Sequence, residues 1–160
     1  MSYVNAERLV ALLIEKGLRI SFAESCTGGM IAQMLTDVSG ASAVFKGGFV
    51  TYTNEMKEKL LGVNPDTMDR YTEVSEQTVK EMAEGARRAL GTDFAVATTG
   101  YAGPTGGTAE NPVGTVYVGL ATKDGTSALR LSYSATKSRD YIRTAAARRA
   151  LMELLKLIRN

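Results

Sequence analysis

Histidine and tryptophan are absent from the 160 residues, and cysteine occurs once, as Cys26. These absences exclude zinc centres built on Cys and His, an intramolecular disulfide framework, and every catalytic triad that relies on imidazole. A hydrolase made from this chain must take its base from Lys, Asp, Glu, Tyr or water. No run approaches the roughly 18 apolar residues of a membrane helix. The amino-terminal segment MSYVNAERLVALLIEKG is interrupted by Glu7, Arg8, Glu15 and Lys16, so it lacks the apolar core of a signal peptide, and a cytoplasmic location is expected.

What is present is ordinary for a globular domain: 44% hydrophobic and 22% charged residues, in a length that suits one domain over 1–160. The formal net charge is +2, but it is unevenly spread. Residues 130–160 hold eight of the nineteen basic side chains and two of the seventeen acidic ones, which invites an anionic partner.

Periodicity and punctuation predict the element order. Asn5 is placed to cap a first helix that ends at Gly17; LRISFAE (18–24) reads as a strand, followed by a helix opening near Thr27 and Gly28. VFKGGFVTYT (44–53) reads as a strand interrupted by Gly47 and Gly48, and NEMKEKLLG as a short helix with Asn54 as its cap. Ser75 caps a longer helix closed by Gly91, and DFAVATTG (93–100) is the apolar run of a strand covered on both faces. After a Gly- and Pro-rich loop, VGTVYVGLATK and TSALRLSYS form a hairpin about Asp124-Gly125, and a last helix spans about 138–158. The expected fold class is a single three-layer α/β/α domain with a mixed, mostly parallel sheet and a C-terminal hairpin.

Three polar or Gly-rich clusters each follow directly on a strand: Glu24-Ser25-Cys26-Thr27-Gly28-Gly29, Tyr52-Thr53-Asn54-Glu55-Met56-Lys57, and Thr99-Gly100-Tyr101-Ala102-Gly103-Pro104 with Gly106-Gly107. Ligands of open α/β sheets gather outside the carboxyl ends of the strands, so the three can share one crevice. Taken singly they have plainer readings. Gly28 and Gly29 can serve close packing, Ser25 can be a helix cap, and Lys57 can be an exposed lysine among Glu55, Glu58 and Lys59.

Together these residues resemble the C-terminal domain of the competence-damage inducible protein family, whose stand-alone members are nicotinamide mononucleotide deamidases. The resemblance rests on AESCTGG (23–29), GASAVFKGGFVTYTNEMK (40–57), EVSE (73–76), TTGYAGPTGG (98–107) and NPVGTVYVGLAT (111–122), and covers about residues 6–158. It implies a member without the amino-terminal molybdopterin-binding-like domain of longer relatives. It also implies hydrolysis of the carboxamide of nicotinamide mononucleotide to nicotinate mononucleotide and ammonia. In that frame Ser25 is the nucleophile, Lys57 the base, matched through the pattern Tyr52, Asn54, Lys57, and Tyr52 and Thr27 relay or orient. Gly28 and Gly29 admit the substrate oxygen to the N–H groups of the first turn of the following helix, an oxyanion hole. Thr99, Gly100 and Gly103 shape the pocket, with Thr99 placed to hydrogen-bond the carboxamide. Arg139 and Arg143, one turn apart at the start of the last helix, are placed for the phosphate.

Three departures from the family pattern stand out. Tyr71-Thr72-Glu73 replaces a more usual His-Gly-Ala, Tyr101 takes a position normally filled by Ile or Val, and Lys137-Ser138 stands where Gly-Asp is expected. The competing readings are a pyridine-nucleotide or phosphate-binding module without turnover, and a nucleic-acid binder using the basic end; the latter lacks stacking aromatics and any recognisable motif. The expected partners are a small-molecule nucleotide and further copies of the chain, with no nucleic acid, no membrane, no metal and no cofactor.

Overall fold

The computed structural model describes residues 4–160. The chain runs α1 (Val4–Lys16), β1 (Ile20–Glu24), α2 (Met30–Thr36), a 3-10 turn (Ala41–Ala43), β2 (Phe45–Val50) and α3 (Asn54–Leu61). It continues through α4 (Pro65–Tyr71), α5 (Glu76–Leu90), β3 (Phe94–Gly100), the hairpin of β4 (Thr115–Thr122) and β5 (Gly125–Ser132), and α6 (Arg139–Arg159). One five-stranded sheet has the order β2-β1-β3-β4-β5. β1 pairs in parallel with both β2 and β3, whereas β4 runs antiparallel to β3 and to β5. The mixed α/β sheet with a C-terminal hairpin is the expected one.

Two apolar clusters, one on each face, hold the three layers together. Leu9, Leu13, Ile20, Phe22, Ile31, Leu35, Ile142 and Leu154 belong to the face covered by α1, α2 and α6. Val79, Met82, Ala83 and Ala86 of α5 meet Ala23, Ala95 and Ala97 on the opposite face, with Leu61 and Met68 from α3 and α4. Small strand residues on that second face let α5 lie close. The connection from β1 to β2 crosses on the first face, and that from β2 to β3 crosses on the second. The chain therefore diverges at the carboxyl ends of β1 and β3, the switch point where α/β proteins form their crevice.

Several boundaries move from their expected places for identifiable reasons. Asn5 is inside α1, which already includes Val4. α2 opens at Met30, because Gly28 and Gly29 take φ of 58° and 100° and form a turn outside the helix. Thr53, not Asn54, caps α3: its hydroxyl accepts from Met56 N at 3.3 Å. The hairpin turns at Lys123-Asp124, since Gly125 already pairs with Thr122. α4 has no counterpart in the expected order, although Asn64 caps it and Pro65 occupies its first turn. Ser75 caps α5 as read, accepting from Thr78 N at 3.1 Å.

Gly85 on α5 sets how closely α5 approaches the end of α3, the helix that begins with the second polar cluster. A Cβ at position 85 would collide with the carbonyl oxygen of Leu61. Replacement of a mid-helix glycine by alanine ordinarily stabilises by about 1 kcal/mol. Here that gain is opposed by overpacking against fixed backbone, which typically costs about 1–3 kcal/mol. Gly85→Ala is expected to lower stability in chemical denaturation; a variant more stable than the parent would contradict this account of the α3–α5 contact.

Candidate active site

β1 delivers Ser25 to the carboxyl edge of the sheet, and a dense set of hydrogen bonds fixes the turn that follows. Ser25 N donates to Thr98 O on β3 at 3.2 Å, and Gly28 N donates to Ser25 O at 3.0 Å. Glu24, the last residue of β1 and 1% exposed, turns its carboxylate toward α2. It accepts from Thr27 Oγ1 at 2.7 Å, Ile31 N at 2.9 Å and Ala32 N at 3.1 Å. A buried carboxylate is tolerated there because it satisfies the free donors at the positive end of the helix. The first-turn N–H groups of α2 are thus engaged by Glu24 and are not the oxyanion donors that the sequence suggested. The N–H groups of Cys26 and Thr27, by contrast, meet no acceptor on another residue among those described.

β2 and α3 bring the lysine. Lys57 lies in the first turn of α3, with its backbone N–H donating to Thr53 O. Its side chain folds back under the end of β2 and is 1% exposed. Nζ donates to Ser25 Oγ at 3.0 Å and to the carbonyl oxygen of Thr51 at 2.8 Å. No carboxylate lies within ion-pair distance of it among the described residues. Burial therefore holds the amine below its ordinary value of 10.5, against the opposing pull of Glu73 and then Cys26. The neighbouring thiol moves the other way: burial pushes Cys26 up to about 12, so at neutral pH it is protonated and a poor nucleophile.

Around this pair opens a cavity of about 330 Å³. Of the residues singled out in the sequence, Ser25, Lys57, Tyr52, Asn54, Thr99, Gly100 and Arg139 line it; Thr27, Gly28, Gly29, Gly103 and Arg143 do not. Thr27 is fully buried, its hydroxyl bonded to Glu24 and to Thr98 Oγ1 at 2.8 Å, so it braces the turn. Arg143 is directed at the same turn and not at the cavity: Nε donates to Cys26 O at 2.9 Å and Nη2 to Thr27 O at 3.4 Å. Gly28 makes room for it, since a Cβ there would lie 2.9 Å from Nη2. Gly103 contributes its carbonyl, which accepts from Arg139 Nη1 at 2.8 Å.

Arg139 stands at the cavity rim, where Ser138 caps α6 by accepting from Tyr141 N at 3.0 Å. Its Nη2 donates to Tyr52 Oη at 3.0 Å. Tyr52 is 61% exposed, and its hydroxyl engages that guanidinium and not the Ser25–Lys57 pair, so a relaying role has no support in the geometry. Thr99 also differs from expectation. Its hydroxyl proton goes to the carbonyl oxygen of Glu73 at 2.7 Å, which makes Thr99 a support for the segment before α5.

Glu73, which opens the EVSE motif, and Tyr101, a member of the third Gly-rich cluster, both line the cavity at positions where the chain departs from the family pattern. Among the described residues Glu73 is the lone acidic one on the lining. Tyr101 is shifted upward first by burial and then by that carboxylate. Among the described residues no three His, Cys, Asp or Glu side chains gather where they could share a metal ion, and no helix is long and apolar enough to cross a membrane.

Comparison with known proteins gives the same outline. The "CinA-like protein" of Shewanella piezotolerans is 52% identical over 139 residues, a stretch that covers 87% of this chain and 32% of that protein. The chain thus spans about a third of the length of such curated relatives. The solved structure of the competence/damage inducible protein CihA from Agrobacterium tumefaciens superposes with a TM-score of 0.94 at 43% identity, covering 99% of this chain and 95% of that one. A CinA superfamily protein from Escherichia coli gives 0.89 at 35% identity, covering 98% and 93%. The profile of the CinA C-terminal domain matches residues 3–158. With that profile matched over nearly the whole length and the fold shared with these solved structures, the chain belongs to the CinA C-terminal domain family.

Proposed function

We propose that this protein hydrolyses the carboxamide of nicotinamide mononucleotide, releasing nicotinate mononucleotide and ammonia. The observation that carries the reading is the 3.0 Å contact between Ser25 Oγ and a buried, uncompensated Lys57 amine. Thr51 O anchors one N–H of that amine, and in the neutral form its lone pair faces the serine hydroxyl as an acceptor. The bond direction then reverses, with Ser25 donating to Nζ. This is the arrangement required of a general base in a chain without histidine.

In the first half-reaction Oγ attacks the amide carbon while its proton passes to Nζ. The oxyanion of the tetrahedral intermediate is met by the N–H of Cys26, the donor next to the nucleophile on the cavity lining that no other described residue engages. Lys57 returns the proton to the departing nitrogen, the C–N bond breaks, and ammonia leaves an ester on Ser25. Water then attacks the ester, again giving a proton to Nζ, and the C–Oγ bond breaks as that proton returns to Oγ. Arg139 at the rim receives the phosphate, aided by the first turn of α6. Arg143 acts one step back, by holding the turn that carries Ser25.

Ser25→Ala is expected to abolish ammonia release and Cys26→Ala to retain it; a fully active Ser25→Ala enzyme would remove the proposal. Positioned acid–base groups contribute about 10²- to 10⁴-fold, so Lys57→Met should lower kcat by at least that range, and Lys57→Arg should not restore it because a guanidinium keeps its proton. Activity unaffected by either change, or lost on treatment with a chelator, would contradict the mechanism. A protein that binds the mononucleotide, judged by thermal stabilisation, but releases no ammonia at any pH would be a binding module instead.

The pH dependence carries a sign. Folded Lys57 binds its proton more weakly than the unfolded residue does, so its contribution to stability is most favourable above pH 10.5 and is lost as pH falls through the lower folded value. The rate is expected to rise with pH through that same lower value. Lys57→Met should gain in melting temperature relative to the parent as pH is lowered; no such divergence would mean that the amine is not destabilised by burial.

A further inference from the structure

We propose that Glu73 is a specificity-determining residue of this cavity, favouring a carboxamide carried on a positively charged ring over the same amide on a neutral ring. This rests on the reading of the protein as a mononucleotide amidase and adds to it a role for a residue outside the Ser25–Lys57 pair.

The cavity has an uneven distribution of charge. Arg139 supplies a cation at the rim, Lys57 an amine at the floor, and Glu73 the one carboxylate on the lining among the described residues. No Lys or Arg stands within ion-pair distance of Glu73 among the described residues. The carboxylate accordingly faces the cavity without a cation to neutralise it, and its charge reaches both Lys57 and the hydroxyl of Tyr101.

The backbone at this point is held unusually firmly. Thr72, the residue before Glu73, has φ 69° and ψ 170°, a region that side-chain-bearing residues rarely occupy. It is kept there from both sides: its N–H donates to Met68 O at 2.9 Å, and its carbonyl accepts from Ser75 Oγ at 3.0 Å and Thr78 Oγ1 at 2.7 Å. Thr99 Oγ1 then donates to Glu73 O, and Asn111 Nδ2 to Val74 O at 3.0 Å. Asn111 is in turn fixed by Tyr117, whose hydroxyl donates to Oδ1 at 3.1 Å. Four elements therefore converge on the backbone that carries one acidic side chain to the cavity lining beside the nucleophile. A carboxylate on that fixed backbone interacts favourably with a cationic ring, while a neutral ring gains nothing from it.

A nicotinamide mononucleotide has such a ring, a pyridinium, and the matching benzamide C-nucleotide has the same carboxamide and phosphate on a neutral one. The test is the ratio of kcat/KM for these two compounds, followed by ammonia release, in the parent and in Glu73→Gln, with dissociation constants for both compounds measured by calorimetry. The substitution is nearly isosteric and removes only the charge. The ratio is expected to fall about tenfold in Glu73→Gln, mainly through KM for the cationic compound, the size of one screened charge across a partly open pocket. A ratio that stays within threefold overturns the inference even if ammonia is released normally. If the parent releases no ammonia from either compound, the amidase reading fails, and the ratio of dissociation constants decides the role of Glu73 by the same threefold limit.

Discussion

A lysine amine held out of water between a serine hydroxyl and a backbone carbonyl is the constraint on which this structure turns. Nζ of Lys57 has Ser25 Oγ and Thr51 O as its hydrogen-bond partners and, among the described residues, no carboxylate within ion-pair distance. Such an amine is costly to bury as an ammonium and inexpensive as a neutral base, so the fold biases it toward the form that chemistry needs. A carboxylate in contact would reverse that bias. Glu73 comes near enough to pull in the opposing direction, yet burial dominates.

The rest of the domain can be understood as the support for that contact. Ser25 and Lys57 lie 32 residues apart and meet because β1 and β2 are parallel neighbours that end at the same edge. Glu24 terminates β1 and caps α2 in one step, which fixes the turn between them; Thr27 and Arg143 close the turn from below and from α6. Gly85 lets α5 approach the end of α3, the helix that carries the lysine. The position of the nucleophile and that of the base are thus set by separate layers of the sandwich. Both layers are anchored to β1 and β3, buried strands that supply Phe22, Ala23, Val96 and Ala97 to the two cores.

Much of this was legible in the residues and some of it was not. Strand ends followed by polar clusters placed Ser25, Lys57 and Thr99 near one another, since three parallel strands leave few other geometries; Arg139 was legible separately, at the start of the last helix. What the sequence hid were relations between side chains distant in the chain. Nothing in the spacing of Arg143 distinguishes a phosphate ligand from a brace 117 residues from the carbonyl it grips. Glu24 reads as one more polar residue until α2 is seen to begin at Met30, beyond Gly28-Gly29, with its donors turned toward that carboxylate. Thr99 shows a hydroxyl at a strand end but not that Glu73 O takes its proton. α4 was the avoidable omission, because Asn64-Pro65 carries its own start signal.

Whether the Ser25–Lys57 chemistry can operate depends on the protonation state of Lys57. In protein labelled with ¹⁵N and ¹³C on lysine, the Lys57 Nζ and Cε resonances, assigned by comparison with Lys57→Met, can be followed from pH 5 to pH 11. A midpoint clearly below 10.5 is expected, with the Ser25 hydroxyl bonded to the neutral amine above it. A midpoint at or above the ordinary lysine value would show that Lys57 remains an ammonium where the protein works, and the Ser25–Lys57 mechanism would be contradicted.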